Sequence, residues 1–172
     1  MSETVTLDQL NKGANAAFIG SLGDVFENSP WLVERAIAKR PFATRAALLA
    51  TLTEIMIAAS EDEKLALIRV HPDLAGKAAR AGDLTDHSTH EQVSAGLDRL
   101  TAAEFDRFNR LNIAYREAFG FPFIIAVLDN TKETIFASFE TRLKSSRVAE
   151  IEEAIRNIGR IVSLRVISMV RE

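Results

Sequence analysis

The stretch from Thr44 to Ala59 reads TRAALLATLTEIMIAA. Nearly every residue in it is a good helix former, and Thr44 is of the type that caps a helix N-terminus. Apolar side chains surround most of the cylinder, so the pattern predicts a buried central helix. On the N-terminal side, Ser29-Pro30 supplies a cap followed by an N1 proline, and Pro41 closes the segment they open. On the C-terminal side, Ser60-Glu61-Asp62-Glu63 is a capping box for a helix to about Val70, which Pro72 stops. Leu74 to Ala81 reads as a short helix ended by Gly82. Ser88-Thr89-His90-Glu91 reads as a second capping box. Thr101-Ala102-Ala103-Glu104 reads as a third, opening a long helix that Gly120 ends. Helices are also predicted over about Lys132–Lys144 and Arg147–Val170.

Between them lies FPFIIAV, Phe121 to Val127, an apolar run with a proline in it. Its composition suits a strand, but it stands alone among helices, so an extended buried segment is expected. With no internal repeat and no linker, residues 1–172 are expected to form a single compact multi-helix bundle domain of the all-α class.

Composition excludes several classes. The 172 residues are 47% hydrophobic and 26% charged, which is globular rather than disordered or low-complexity. There is no cysteine, so disulfides, thiolate nucleophiles and cysteine-ligated metals are ruled out. Lys plus Arg is 21 against 24 Asp plus Glu, a net charge of −3, which does not suit a nucleic-acid binder. No run of 18 apolar residues is present, and the start lacks the basic and apolar regions of a signal peptide. A cytoplasmic protein with no membrane partner is therefore expected.

Polar residues at positions patterned for apolar ones carry the functional information. Arg165 shares a helical stripe with Ile151, Ile155, Ile158, Val162 and Met169. It either closes an internal salt bridge or snorkels, or it offers a planar fork to a carbonyl or carboxylate in a pocket. His71, at the end of a helix beside Pro72, either caps that helix or exchanges protons near neutral pH. In Ser88-Thr89-His90-Glu91-Gln92 a capping box accounts for Ser88 and Glu91 but not for Gln92. The same helix start could hold an oxygen-rich ligand. His87 and His90 are three apart and could share a metal with Glu91, although no third strong ligand is evident.

Read in order, His71-Pro-Asp-Leu-Ala-Gly-Lys-Ala, Ser88-Thr-His-Glu-Gln92, Ala95-Gly-Leu-Asp98, Leu111-Asn-x-Ala-Tyr115 and Phe119-Gly-Phe-Pro-Phe-Ile-Ile-Ala126 resemble the 2-oxo-4-hydroxy-4-carboxy-5-ureidoimidazoline (OHCU) decarboxylases. The likeness runs from about Phe26-Glu-x-Ser-Pro-Trp31 to the last helix. It implies an all-helical homodimer that takes OHCU to (S)-allantoin and carbon dioxide, the last step from urate. It implies no cofactor and no metal, because the substrate's own ring can accept the electron pair that decarboxylation leaves. In this family His71 matches the catalytic histidine, and Pro72, Ser88, Glu91 and Gln92 match substrate-contacting positions. Glu91 is also expected to act in catalysis by accepting from the 4-hydroxyl. Phe123, Ile124, Ile125, Ala126 and Val127 match the stretch whose backbone lines the pocket, and Arg165 matches the arginine from the last helix. Family members commonly carry Arg-Gly after this stretch; here it is Leu128-Asp129-Asn130, so no side-chain role falls to Leu128. Two other classes use the same residues: a helical small-molecule-binding module without chemistry, and a metal-dependent hydrolase built on His87 and His90.

Overall fold

The computed structural model describes residues 4–76 and 81–172. Among the described residues the fold is helical, in line with the expected class. Its contacts group into two compact units, residues 1–70 with 159–172, and residues 71–158.

The first unit begins with Val5–Thr6, strand β1, which pairs in parallel with Val170–Arg171, strand β2. Two-residue strands give almost no periodic signal, and the sequence pattern does not reveal them. Thr6 also closes a capping box with Gln9 at the start of helix α1, Leu7–Lys12. Helix α2 is Asn15–Leu22 and α3 is Pro30–Ala36, with Pro30 in its first turn as the sequence predicts. Helix α4, Arg45–Ala58, is capped by the Thr44 side chain on Ala47 N–H. Helix α5, Glu61–Arg69, opens on the Ser60/Glu63 box.

Helix α4 departs from expectation in its burial. Only Leu48, Leu52 and Met56 are buried, while Ile57 is 58% exposed. The three buried residues repeat every four positions and make one stripe against α3. The alanines between them made the whole cylinder look apolar, but small side chains leave a face that water can cover. Glycine matters once here. A Cβ on Gly159, in the last helix, would stand 3.3 Å from Met56 Cε, so its absence allows close packing.

The second unit holds α6, Asp86–Ser94; α7, Ala102–Phe119; α8, Lys132–Arg142; and the start of α9, Arg147–Met169. The Thr101/Glu104 box opens α7, and Gly120 ends it at φ +78°, the left-handed conformation glycine adopts without strain. Tyr115 lies at the centre of an aromatic cluster with Phe119, Phe121, Phe123 and Phe139, and Phe123 stacks on Phe139 at 3.7 Å. Phe121 to Ala126 is extended and buried, as expected, and leads into a 3-10 turn over Val127–Asp129.

Two local expectations change. Half of the predicted helix over Leu74–Ala81, residues 77–80, lies outside the described residues; Leu74 and Ala75 sit in a turn, with Ala75 at φ +50°, while Ala81 is helical. The second capping box is not formed by Ser88. Thr85 is the N-cap of α6, its hydroxyl taking Ser88 N–H at 3.3 Å, with acidic Asp86 in the first turn. Thr85-Asp86 captures the helix start three residues earlier because both residues complement the exposed N–H groups and the dipole there.

Candidate active site

Moving the start of α6 changes what Ser88 and Glu91 do. Ser88, Glu91 and Gln92 stand at i, i+3 and i+4 inside the helix, and all three are buried. Such spacing places them on one face. Three adjacent polar side chains turned inward on one helix are unusual, because burial without partners is costly. His90, between them, is exposed, so it does not share their face. Among the described residues, no three His, Asp or Glu side chains come together as metal ligands.

His71 follows Val70, the C-cap residue of α5, and is buried, with only 7% of its surface exposed. Pro72 ends the helix there, since its ring carries no N–H and crowds the residue before it. The chain from His71 to Ala75 is then pinned by side chains. Gln92 Oε1 accepts Ala75 N–H at 3.0 Å, Asn112 Nδ2 donates to Leu74 C=O at 2.8 Å, and Arg116 Nε pairs with Asp73 Oδ1 at 2.8 Å. Gln92 therefore fastens the histidine segment to α6. Because its Oε1 faces Ala75, the Nε2 amide remains as a donor.

The extended segment from Phe123 to Val127 belongs to the same unit, and α6 packs against the turn that ends it. Its backbone is held at chosen points. Arg142 Nη1 donates to Ile124 C=O at 2.7 Å, Ala126 N–H donates to Asn157 Oδ1 at 3.1 Å, and Asn130 Nδ2 donates to Ala126 C=O at 2.9 Å. Among the described residues, nothing bonds to the N–H or C=O of Ile125, which is 8% exposed. A peptide group that is unpaired and nearly buried is available to a ligand.

Arg165 lies in the first unit and is 3% exposed. Both of its terminal nitrogens reach Glu27 Oε2 at 3.1 Å, and Nη1 also approaches the carbonyls of Asp24 and Val25. The internal salt bridge that the sequence left open as one reading is thus present.

The structure brings His71, Pro72, Ser88, Glu91, Gln92 and Phe123–Val127 into one compact unit and places Arg165 in the other. Sequence reasoning missed Asn112, Arg116 and Glu27 as supporting groups. Asn112 was visible in principle, because it lies on the same stripe of α7 as the buried Phe108, Tyr115 and Phe119.

Comparison with known proteins decides the family. The OHCU decarboxylase family model matches residues 11–167. The chain belongs to the OHCU decarboxylase family. It is 38% identical over 161 residues to the 2-oxo-4-hydroxy-4-carboxy-5-ureidoimidazoline decarboxylase of Halalkalicoccus jeotgali, covering 94% of this chain and 89% of that one. It is 38% identical over 167 residues to a uric acid degradation bifunctional protein of Bacillus subtilis, covering 97% of this chain and 33% of that larger one. Among solved structures, (S)-allantoin synthase superposes with a TM-score of 0.77 at 30% identity, over 96% of this chain and 54% of that chain.

Proposed function

We infer that this protein decarboxylates OHCU to (S)-allantoin and carbon dioxide; its relatives are named OHCU decarboxylases, and a similar solved structure is named (S)-allantoin synthase. The observation that carries the residue assignment is the buried row Ser88, Glu91 and Gln92, tied through Ala75 to the His71 segment.

The substrate carries its hydroxyl and carboxylate on one ring carbon, beside a ring carbon bearing the ureido group. When the bond to the carboxylate breaks, carbon dioxide leaves and the electron pair forms a double bond between those two carbons. The imine nitrogen next in the ring takes up the displaced pair and a proton. The hydroxyl then loses its proton to become a carbonyl, while the ureido-bearing carbon gains one. Each step needs a positioned proton donor or acceptor and nothing more.

Glu91 accepts from the 4-hydroxyl and draws off its proton. His71 delivers a proton to one face of the ureido-bearing carbon, which fixes the S configuration. Gln92 donates through Nε2 to a substrate oxygen, Ser88 supplies a hydroxyl from the same helix face, and Pro72 packs beside the ring. The free peptide groups between Phe123 and Val127 bond the ring and ureido edge. Arg165, held in place by Glu27, binds substrate oxygens. Preorganised donors aimed at developing charge supply much of the rate in such sites. A homodimer in the cytoplasm completes the proposal, the oligomer to be checked by light scattering. Among the described residues no helix is long and apolar enough to cross a membrane.

The test starts from urate with urate oxidase and hydroxyisourate hydrolase, following circular dichroism with and without this protein. Fast growth of a lasting dichroic signal is expected, because the spontaneous step is slow and racemic. A racemic trace from folded protein overturns the reading.

A further inference from the structure

Arg142 is 8% exposed and Glu150 is 2% exposed, yet the decarboxylation chemistry has no use for either. Arg142 Nε pairs with Glu150 Oε2 at 2.8 Å. Tyr115 O–H donates to the same oxygen at 2.5 Å. The guanidinium also lies 4.3 Å from the centre of the Phe123 ring. Glu150 thus fixes the guanidinium from behind, and Nη1 is left aimed at Ile124 C=O. A buried ion pair stabilises a fold little more than apolar side chains of the same size, so its geometry calls for another account. Here the pair ends on a single backbone carbonyl, one residue before the unpaired peptide of Ile125.

The geometry points to Arg142 as a positioning residue for the reaction, with Glu150 and Tyr115 holding it in register. Arg142 clamps the extended segment at Ile124, and Asn157 clamps it at Ala126. The two bonds lie on either side of Ile125 and fix the direction of its N–H and C=O. This inference rests on the reading that the Phe123–Val127 backbone binds substrate. A shift of about 1 Å in such a group is enough to lose on the order of 100-fold in rate. A lysine carries one compact ammonium and has no fork, so it cannot serve Glu150 and Ile124 together.

The experiment compares wild type, Arg142→Lys, Tyr115→Phe and Asn157→Ala by steady-state kinetics on OHCU, with the enantiomeric excess of the allantoin product and the helical dichroism of each variant. Arg142→Lys and Asn157→Ala are expected to fold, to raise KM about tenfold or more, and to lower the enantiomeric excess. Tyr115→Phe keeps the Arg142–Glu150 pair and is expected to show a smaller change in the same direction. Folded Arg142→Lys and Asn157→Ala with wild-type KM and enantiomeric excess overturn the inference, whatever their melting temperatures. If Arg142→Lys does not fold, Asn157→Ala decides alone, since Asn157 is only half-buried and its loss leaves the ion pair intact. Inactive wild-type protein instead sinks the decarboxylase reading itself, so the two failures are distinguishable.

Discussion

Gln92 Oε1 accepts the backbone N–H of Ala75 at 3.0 Å, and this one bond settles which way the amide faces. The oxygen is committed to the histidine segment, so the nitrogen is the half that can meet substrate. Gln92→Glu retains the acceptor for Ala75 but replaces the donor with negative charge. Hydrogen bonds to charged groups contribute about 1.5–3 kcal/mol, so kcat/KM is expected to fall about 10- to 100-fold with little loss of stability. Gln92→Leu loses both contacts and is expected to lower melting temperature as well. Equal kinetics for Gln92→Glu and wild type would show that the amide nitrogen does not touch substrate.

His71 is buried at the end of α5 with Pro72 fixing the turn behind it. A positioned acid or base is worth about 10²–10⁴ in rate. His71→Ala is expected to lose at least that in kcat, to release allantoin with reduced enantiomeric excess, and to keep its helical dichroism. His71→Asn replaces the ring with an amide that does not titrate, so it is expected to be similarly slow. Stereoselective turnover within tenfold of wild type in either variant removes His71 from the proton-transfer role.

Much of this was legible in the sequence for physical reasons that differ from residue to residue. Capping boxes at Ser60 and Thr101 and the left-handed Gly120 are local devices, and local devices read directly. Arg165 stood out because a charge on an apolar stripe is costly to bury. Its partner Glu27 did not, since the two are far apart in the chain and pairing across that distance leaves no periodic mark. The Ser88-Glu91 spacing matches a capping box, but Thr85 is also a good N-cap residue and Asp86 complements the first turn, so the helix opens three residues earlier. Arg142 and Glu150 carried no signal of their own, as charges on helices are normally solvated.

The Glu27–Arg165 pair gives a prediction about stability. Both side chains are almost fully buried, at 2% and 3% exposed. Removing Glu27 takes the carboxylate partner away from the buried guanidinium, and breaking a buried pair in this way costs about 3–5 kcal/mol. Glu27→Leu is therefore expected to lose about that much in urea denaturation. Combining Glu27→Leu with Arg165→Met is expected to restore most of it, since apolar residues of similar volume replace buried pairs well. Turnover should not return in the double variant if Arg165 binds substrate. A stable and fully active double variant would confine Arg165 to a structural role.

Tyr115 is the only tyrosine in the chain, so tyrosinate absorbance reports on it alone. Burial first, and donation to Glu150 second, push its phenol well above the ordinary value of 10.0. A group whose folded pKa is raised stabilises the fold fully below its unfolded pKa and loses that contribution as pH rises through the folded pKa. The unfolded phenol titrates near pH 10. Above about pH 10 the protein is thus expected to lose stability progressively while Tyr115 stays protonated in every folded molecule. Tyrosinate absorbance and helical dichroism, followed together during an alkaline titration, should change in one coincident step. In Glu150→Gln the phenol still donates, but to a neutral amide, so its titration is expected to move down toward 10. Ionisation near pH 10 in wild-type protein that keeps its helices would mean that the Tyr115–Glu150–Arg142 cluster is open to water, and the clamp on Ile124 would lose its rigid backing.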